Sequence, residues 1–219
     1  MRNGPAPRFI MVSLICALAV AANLLVMLPR HLLWFPLFVD TIFTVAVTFA
    51  LGIVPGLVVA TLTWVTDGAL GLGFSFHPFL PVAIAEVFLV RALRPADPPL
   101  PRRSSFGAPG AAERDWRMAA FFGVIVKLAM IYIVCVVAAS VLGGIIDFLF
   151  HTVWGAERHY YIGLNAFRMI LLQEGMPALP TEIFARFKVN LLDRLVAIFG
   201  GYLVSRAIVL VMKKHERKR

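Results

Sequence analysis

The stretch FVDTIFTVAVTFALGIVPGLVVATLTWVTD, residues 38–67, decides how the chain is read. Two apolar runs, Trp34 to Leu51 and Val54 to Leu72, are separated only by GIVPG, whose glycines and proline break a helix. The runs therefore form an antiparallel helical hairpin. Each carries one carboxylate, Asp40 and Asp67, in surroundings that otherwise want no charge.

Similar runs recur on both sides of the hairpin. Of 219 residues, 60% are hydrophobic and 15% charged, with a mean hydropathy of +0.85, far from the balance of a soluble domain. Crossing a hydrocarbon core of about 30 Å takes about 20 residues of helix. The runs at 9–28, 34–51, 54–72, 79–93, 118–142 and 187–212 predict an all-α membrane protein: a six-transmembrane-helix bundle forming one membrane domain over 1–219. Prolines in HPFLP open the fourth run, where the missing N–H matters least. The first run continues through Asn23 to Leu28 without the polar switch of a cleaved signal peptide, so it reads as a retained span.

Residues 94–117, rich in Pro, Gly and charge, read as a flexible loop. Residues 143–186 differ. Their aromatic residues, the apolar stretch Phe167 to Leu172 and the stop at Gly175 predict a structured extracellular cap between helices 5 and 6. The N-terminus, the 94–117 loop with its flanks, and the tail hold 14 of the 21 Lys and Arg. That side is expected in the cytoplasm, with both termini inside a bacterial inner membrane and the cap outside. The net charge of +9 is explained by those loops, and no nucleic-acid partner is expected. Cys16 and Cys135 lie in apolar runs without Cys-x-x-Cys or Cys/His neighbours, so no metal is expected.

In this topology Asp40, Asp67 and Asp193 each lie about 8–9 Å from the outer end of their helices. Thr44 follows Asp40 by one turn, Thr63 precedes Asp67, Asn190 precedes Arg194, and Trp64 adds a flat wall. Charges at membrane depth face a partner or a cavity. Asp40, Thr44, Thr63, Trp64, Asp67, Asn190, Asp193 and Arg194 are the candidate substrate-binding residues. The competing reading pairs Asp193 or Asp40 with Arg194 to fix helix packing. Outer-side charges nearly cancel, so the substrate's sign does not follow from them. Glu86 and Lys127, near the middle of consecutive antiparallel spans, are expected to form a buried ion pair, a structural latch or a proton-coupling site. Asp147 and His151, one turn apart, read as cap hydrogen bonding rather than a metal site. His159, Tyr160, Tyr161, Asn165 and Arg168 either face the cavity or form an interfacial belt.

Ser13, Ala17 and Ala21 recur every four residues on the first helix, a flat side for close approach, by this bundle or by a partner. With this stripe, FVDTIFTVAVTFALGIVPGLVVATLTW and VNLLDRLVAIFGGYLV, the chain resembles the substrate-binding (S) components of energy-coupling-factor (ECF) vitamin transporters. The resemblance covers helices 2, 3 and 6 well, helix 1 through its alanines, and the cap hardly at all. It implies capture of a vitamin-like small molecule in an outward pocket. It also implies docking, through Ala17 and Ala21, to a transmembrane coupling component driven by two cytoplasmic ATPases. The chain has no Gly-x-x-x-x-Gly-Lys-[Ser/Thr] loop, so any ATP is hydrolysed by those partners and no cofactor of its own is expected. A membrane sensor binding a small ligand without transport is the alternative. An enzyme is not expected, because Gly-x-Ser-x-Gly, His-Glu-x-x-His and paired-carboxylate motifs are all missing.

Overall fold

The computed structural model describes residues 6–33, 41–70, 78–95, 111–155 and 162–217, which are almost wholly helical, with no strand among them. The helices are α1 (Ala6–Leu33), α2 (Ile42–Leu51), α3 (Ile53–Ala69), α4 (Leu80–Leu93), α5 (Ala111–Asp147), α6 (Ile162–Gln173), α7 (Ala178–Leu195) and α8 (Gly201–Arg217). A π-helical turn, Phe148–Val153, extends α5, and a second, Val196–Gly200, joins α7 to α8 without a break. Among the described residues three helical stretches are long and apolar enough to cross a membrane: Arg8–Met27, Met118–Val153 and Ala178–Glu216. Helices α2 and α3 are shorter apolar helices. As described, α2 rises about 15 Å, half of a hydrocarbon core.

Why α2 sits at the centre follows from its burial. Thr44 through Phe49 are all buried, and a helix covered on every side belongs inside a bundle. It is packed by α1, α3, α4 and α8. Cys16 and Ala19 of α1 join Val47 and Val59 in one apolar cluster, while Val45, Phe49, Val90, Leu128, Ile131, Cys135 and Ile198 form another.

The GIVPG reversal is built on Gly52, whose φ of 104° lies where a Cβ is resisted. Its N–H donates to Thr48 O at 3.1 Å, ending α2. Pro55 falls in the first turn of α3, where an N–H has no intrahelical acceptor. A Cβ on Gly56 would collide with the Thr48 hydroxyl, so bare backbone there lets the two helices of the hairpin lie close together.

Two helices outrun their expected bounds. The fifth, expected to end at 142, continues helically to Val153, and the last, expected from 187, begins at Ala178. Charges at Asp147, Glu182 and Arg186 mark ends in a hydropathy reading, but here ion pairs carry them inside. Arg186 donates to both oxygens of Asp147, at 2.5 and 3.0 Å, and lies over the Phe79 ring at 4.3 Å. Arg168 of α6 donates to Glu182 of α7 at 2.7 Å. After Gln173 the chain leaves α6 through a paired cap: Gly175, at φ 84°, donates to Leu172 O and Met176 N–H to Leu171 O.

Helices α5 and α7 approach closely at Gly144, where a Cβ would stand 2.7 Å from both the Cα and the N of Ile183. Backbone, unlike the tip of a side chain, has little room to yield. Gly144→Ala is expected to destabilise the bundle by about 1–3 kcal/mol, read as a lowered unfolding midpoint of the purified protein. Gly123→Ala, in open space on the same helix, serves as the control and should leave the midpoint near wild type.

Candidate functional site

Polar side chains from α1, α2, α3, α4 and α7 gather inside the apolar bundle. Asn23 of α1 is fully buried, and its Nδ2 donates to Thr44 Oγ1 of α2 at 2.9 Å and Thr63 Oγ1 of α3 at 3.2 Å. Its Oδ1 accepts the Phe43 N–H at 3.2 Å. That N–H is in the first turn of α2 and has no acceptor of its own within the helix, so one asparagine both caps α2 and ties three helices together.

The second half of the cluster centres on Arg194 of α7. Its Nη1 donates to Glu86 Oε2 of α4 at 2.5 Å and to Thr41 Oγ1, just before α2, at 2.9 Å. All three residues are buried. Thr41 and Thr44 are three residues apart, so the Arg194 and Asn23 halves meet along α2. Asp67 follows Thr63 by one turn of α3, Asp193 precedes Arg194, and both carboxylates are buried. The approach of α2 is permitted by Gly201, just past the π turn, since a Cβ there would lie 2.9 Å from the Ile42 carbonyl oxygen.

Of the candidate residues, Thr44 and Thr63 are thus brought together. Asp67, Asp193 and Arg194 are buried with them, and Trp64 is partly buried against Ala60, Ala83 and Val87. Asn190 is buried too, but faces α5, donating to Ser140 Oγ at 3.1 Å. Asp40 lies outside the described residues, as do His159, Tyr160 and Tyr161. Asn165 is exposed, and Arg168 is engaged with Glu182.

Two expectations are corrected and one open choice is narrowed. Glu86 pairs with Arg194, not with Lys127, which is exposed on α5. Position along the chain favours a partner on the neighbouring span, whereas the cation that reaches Glu86 comes from α7, 108 residues away. Of the two uses left open for the alanine stripe, packing within this chain is not seen: Ser13, Ala17 and Ala21 are exposed, while the face formed by Cys16, Ala19 and Asn23 turns inward. Asp147 takes Arg186 as its main partner, with His151 Nε2 at 3.9 Å. Among the described residues no His, Cys, Asp and Glu side chains are grouped to hold a metal. Asn23, Thr41 and Ser140 were missed. Asn23 carried the clearest signal, an amide in an apolar run with no local use for it.

Comparison with family models, curated proteins and solved structures gave no match.

A buried guanidinium–carboxylate pair costs little while intact and much when halved. Arg194→Leu and Glu86→Leu are each expected to lower stability by about 3–5 kcal/mol. The double variant should lose clearly less than the sum, a non-additivity measurable by unfolding all four proteins under one condition.

Proposed function

We propose that the chain is the membrane-embedded substrate-binding subunit of an ECF-type importer. It takes a vitamin-like small molecule from outside a bacterial inner membrane and has both termini in the cytoplasm. It spans the bilayer six times beneath an outer cap, and a coupling component with two ATPases supplies the driving force. The observation that carries this reading is the buried polar cluster drawn from five helices. Ionisable groups within an apolar bundle are expensive and mark substrate or ion pathways. The sequence resemblance in helices 2, 3 and 6 adds the class of transporter. The outward-facing Ser13, Ala17 and Ala21 support docking, because small residues let a second helix approach closely in lipid.

Two measurements test it. Protein purified from its native membrane should retain a small molecule at about one per chain by native mass spectrometry, and Ala17→Leu should lose the coupling component in pull-down while keeping that molecule. Loss of both together would make the stripe structural, and retention of both would remove it as the docking face. Cysteines placed at Ser104 and Gly155 should label from opposite sides of the membrane, with Ser104 reached only from the cytoplasm. Labelling of both from outside sinks the six-span topology and the outward pocket with it.

A further inference from the structure

We infer that the end of the bundle at which α2 stops is a docking surface for anionic phospholipid headgroups, formed by Lys127 and exposed cations from three other helices; the inference goes beyond the importer reading and does not depend on it. Packing contacts bring these cations to one end. Asn23 of α1 meets α2 at Thr44, whereas Cys16 and Ala19 share a cluster with Val47, so the N-terminus of α1 lies where α2 stops. Gly201 lies against Ile42 at the start of α2 and Ile208 packs near Val47, so α8 runs beside α2 in the same direction. Glu86 and Thr41 share Arg194 while Val90 and Phe49 share a cluster, which gives α4 that direction too. Leu128 of α5 joins that same cluster, but α5 reaches Asn190, a turn before Arg194, only at Ser140, so α5 begins at this end and runs away from it. Arg8 of α1, Arg91 in the last turn of α4, Lys127 of α5, and Lys213 and Lys214 near the end of α8 are therefore directed to one end, and all five are exposed.

The far end treats its arginines differently, matching Arg168 with Glu182 and Arg186 with Asp147 inside the bundle. Here no ion pair joins the five cations to a described carboxylate, and Glu216 is the single acid among the described side chains at this end. Each cation also borders exposed apolar surface: Phe9 and Ile10 follow Arg8, Phe88 stands a turn before Arg91, Ile125 and Val126 precede Lys127, and Leu210 and Val211 precede Lys213. That border selects the partner. A soluble polyanion would use the charges alone, whereas a phospholipid sets phosphate on the cations and acyl chain on the apolar side chains beside them. Lys127 is the most telling of the five, because it lies nine residues inside the apolar stretch that starts at Met118, about 14 Å along the helix axis. Helical side chains slope towards their N-terminus, and the N-terminus of α5 is at this end, so the aliphatic stem of Lys127 carries its ammonium towards headgroup level. Zwitterionic headgroups offset their phosphate with a cation of their own, so clustered Lys and Arg favour anionic lipid.

The test purifies the full-length protein in detergent and adds phosphatidylglycerol, phosphatidylcholine or inorganic phosphate, reading bound lipid by native mass spectrometry and stability by the unfolding midpoint. The expected result is affinity for phosphatidylglycerol about tenfold or more above that for phosphatidylcholine, with a midpoint raised by phosphatidylglycerol and not by inorganic phosphate. The triple change Lys127→Gln, Lys213→Gln and Lys214→Gln should remove most of that preference, and Lys127→Gln alone part of it. Lys188→Gln, at an exposed cation in the other half of the bundle, should leave it intact. Equal retention of the two lipids overturns the proposal, as does a preference that survives the triple change or falls as far in Lys188→Gln. An equal midpoint shift from inorganic phosphate reassigns the cations to free anions, and loss of a co-purifying protein with lipid preference unchanged makes this end a protein contact; either overturns the lipid surface. If the triple variant does not fold, Lys127→Gln and the wild-type comparison decide. The importer reading is untouched by these outcomes, because none of the probes is the transported molecule.

Discussion

An arginine buried inside an apolar bundle sets the terms for everything around it. Stripping water from a guanidinium costs several kcal/mol unless a carboxylate and further acceptors replace it at close range. Arg194, 6% exposed, finds those acceptors on α4 and at the start of α2, so α2, α4 and α7 must meet at one level. The rest of the interior packing is compatible with that meeting. Gly201 offers bare backbone to Ile42, Gly56 offers it to Thr48, and Asn23 holds the first turn of α2 from the other side. The chain's least apolar residues thus specify how its most apolar helices are arranged.

The same logic operates around α6 and the first half of α7. There the charges pair off between α6 and α7 and between α5 and α7. Each pair confines a carboxylate that would otherwise end a membrane helix. The exposed surface is the converse: Leu14 and Leu18 on α1, Ile133 on α5, Phe184 and Leu191 on α7 and Leu203 on α8 all face outward. A molecule with charge inside and aliphatic side chains outside is arranged for a lipid solvent.

Local chemistry was legible in the sequence, and long-range pairing was not. Gly52, Pro55 and Gly56 announce a reversal because each acts on its own stretch of backbone. Gly175 announces the end of α6 for the same reason, and its positive φ is the conformation for which glycine is favoured. The burial of Thr44, Thr63, Asp67, Asp193 and Arg194 could be anticipated from the cost of polar groups in apolar runs. Which partner each would take could not, because Glu86 and Arg194 are 108 residues apart and helical periodicity carries no information across that distance. Asp147 and His151 misled in the opposite sense, their one-turn spacing hiding a stronger partner, Arg186, on another helix.

The π turn at Val196–Gly200 does more than admit the glycines. A π turn accommodates one residue more than the α-helical turn it replaces, so it shifts the sequence register of everything after it by one position, about 100° of helix. The stripe that α7 presents to α5 and the stripe that α8 presents to α2 are therefore out of step along what is otherwise one rod. Deleting a single residue within 196–200 would restore regular winding and leave α8 facing as it does, with Ser205 and Met212 on the buried side and Leu203 and Leu210 outward. The extra residue is thus absorbed within the turn instead of being passed on as a rotation of α8, and two halves of one helix are free to serve two different neighbours.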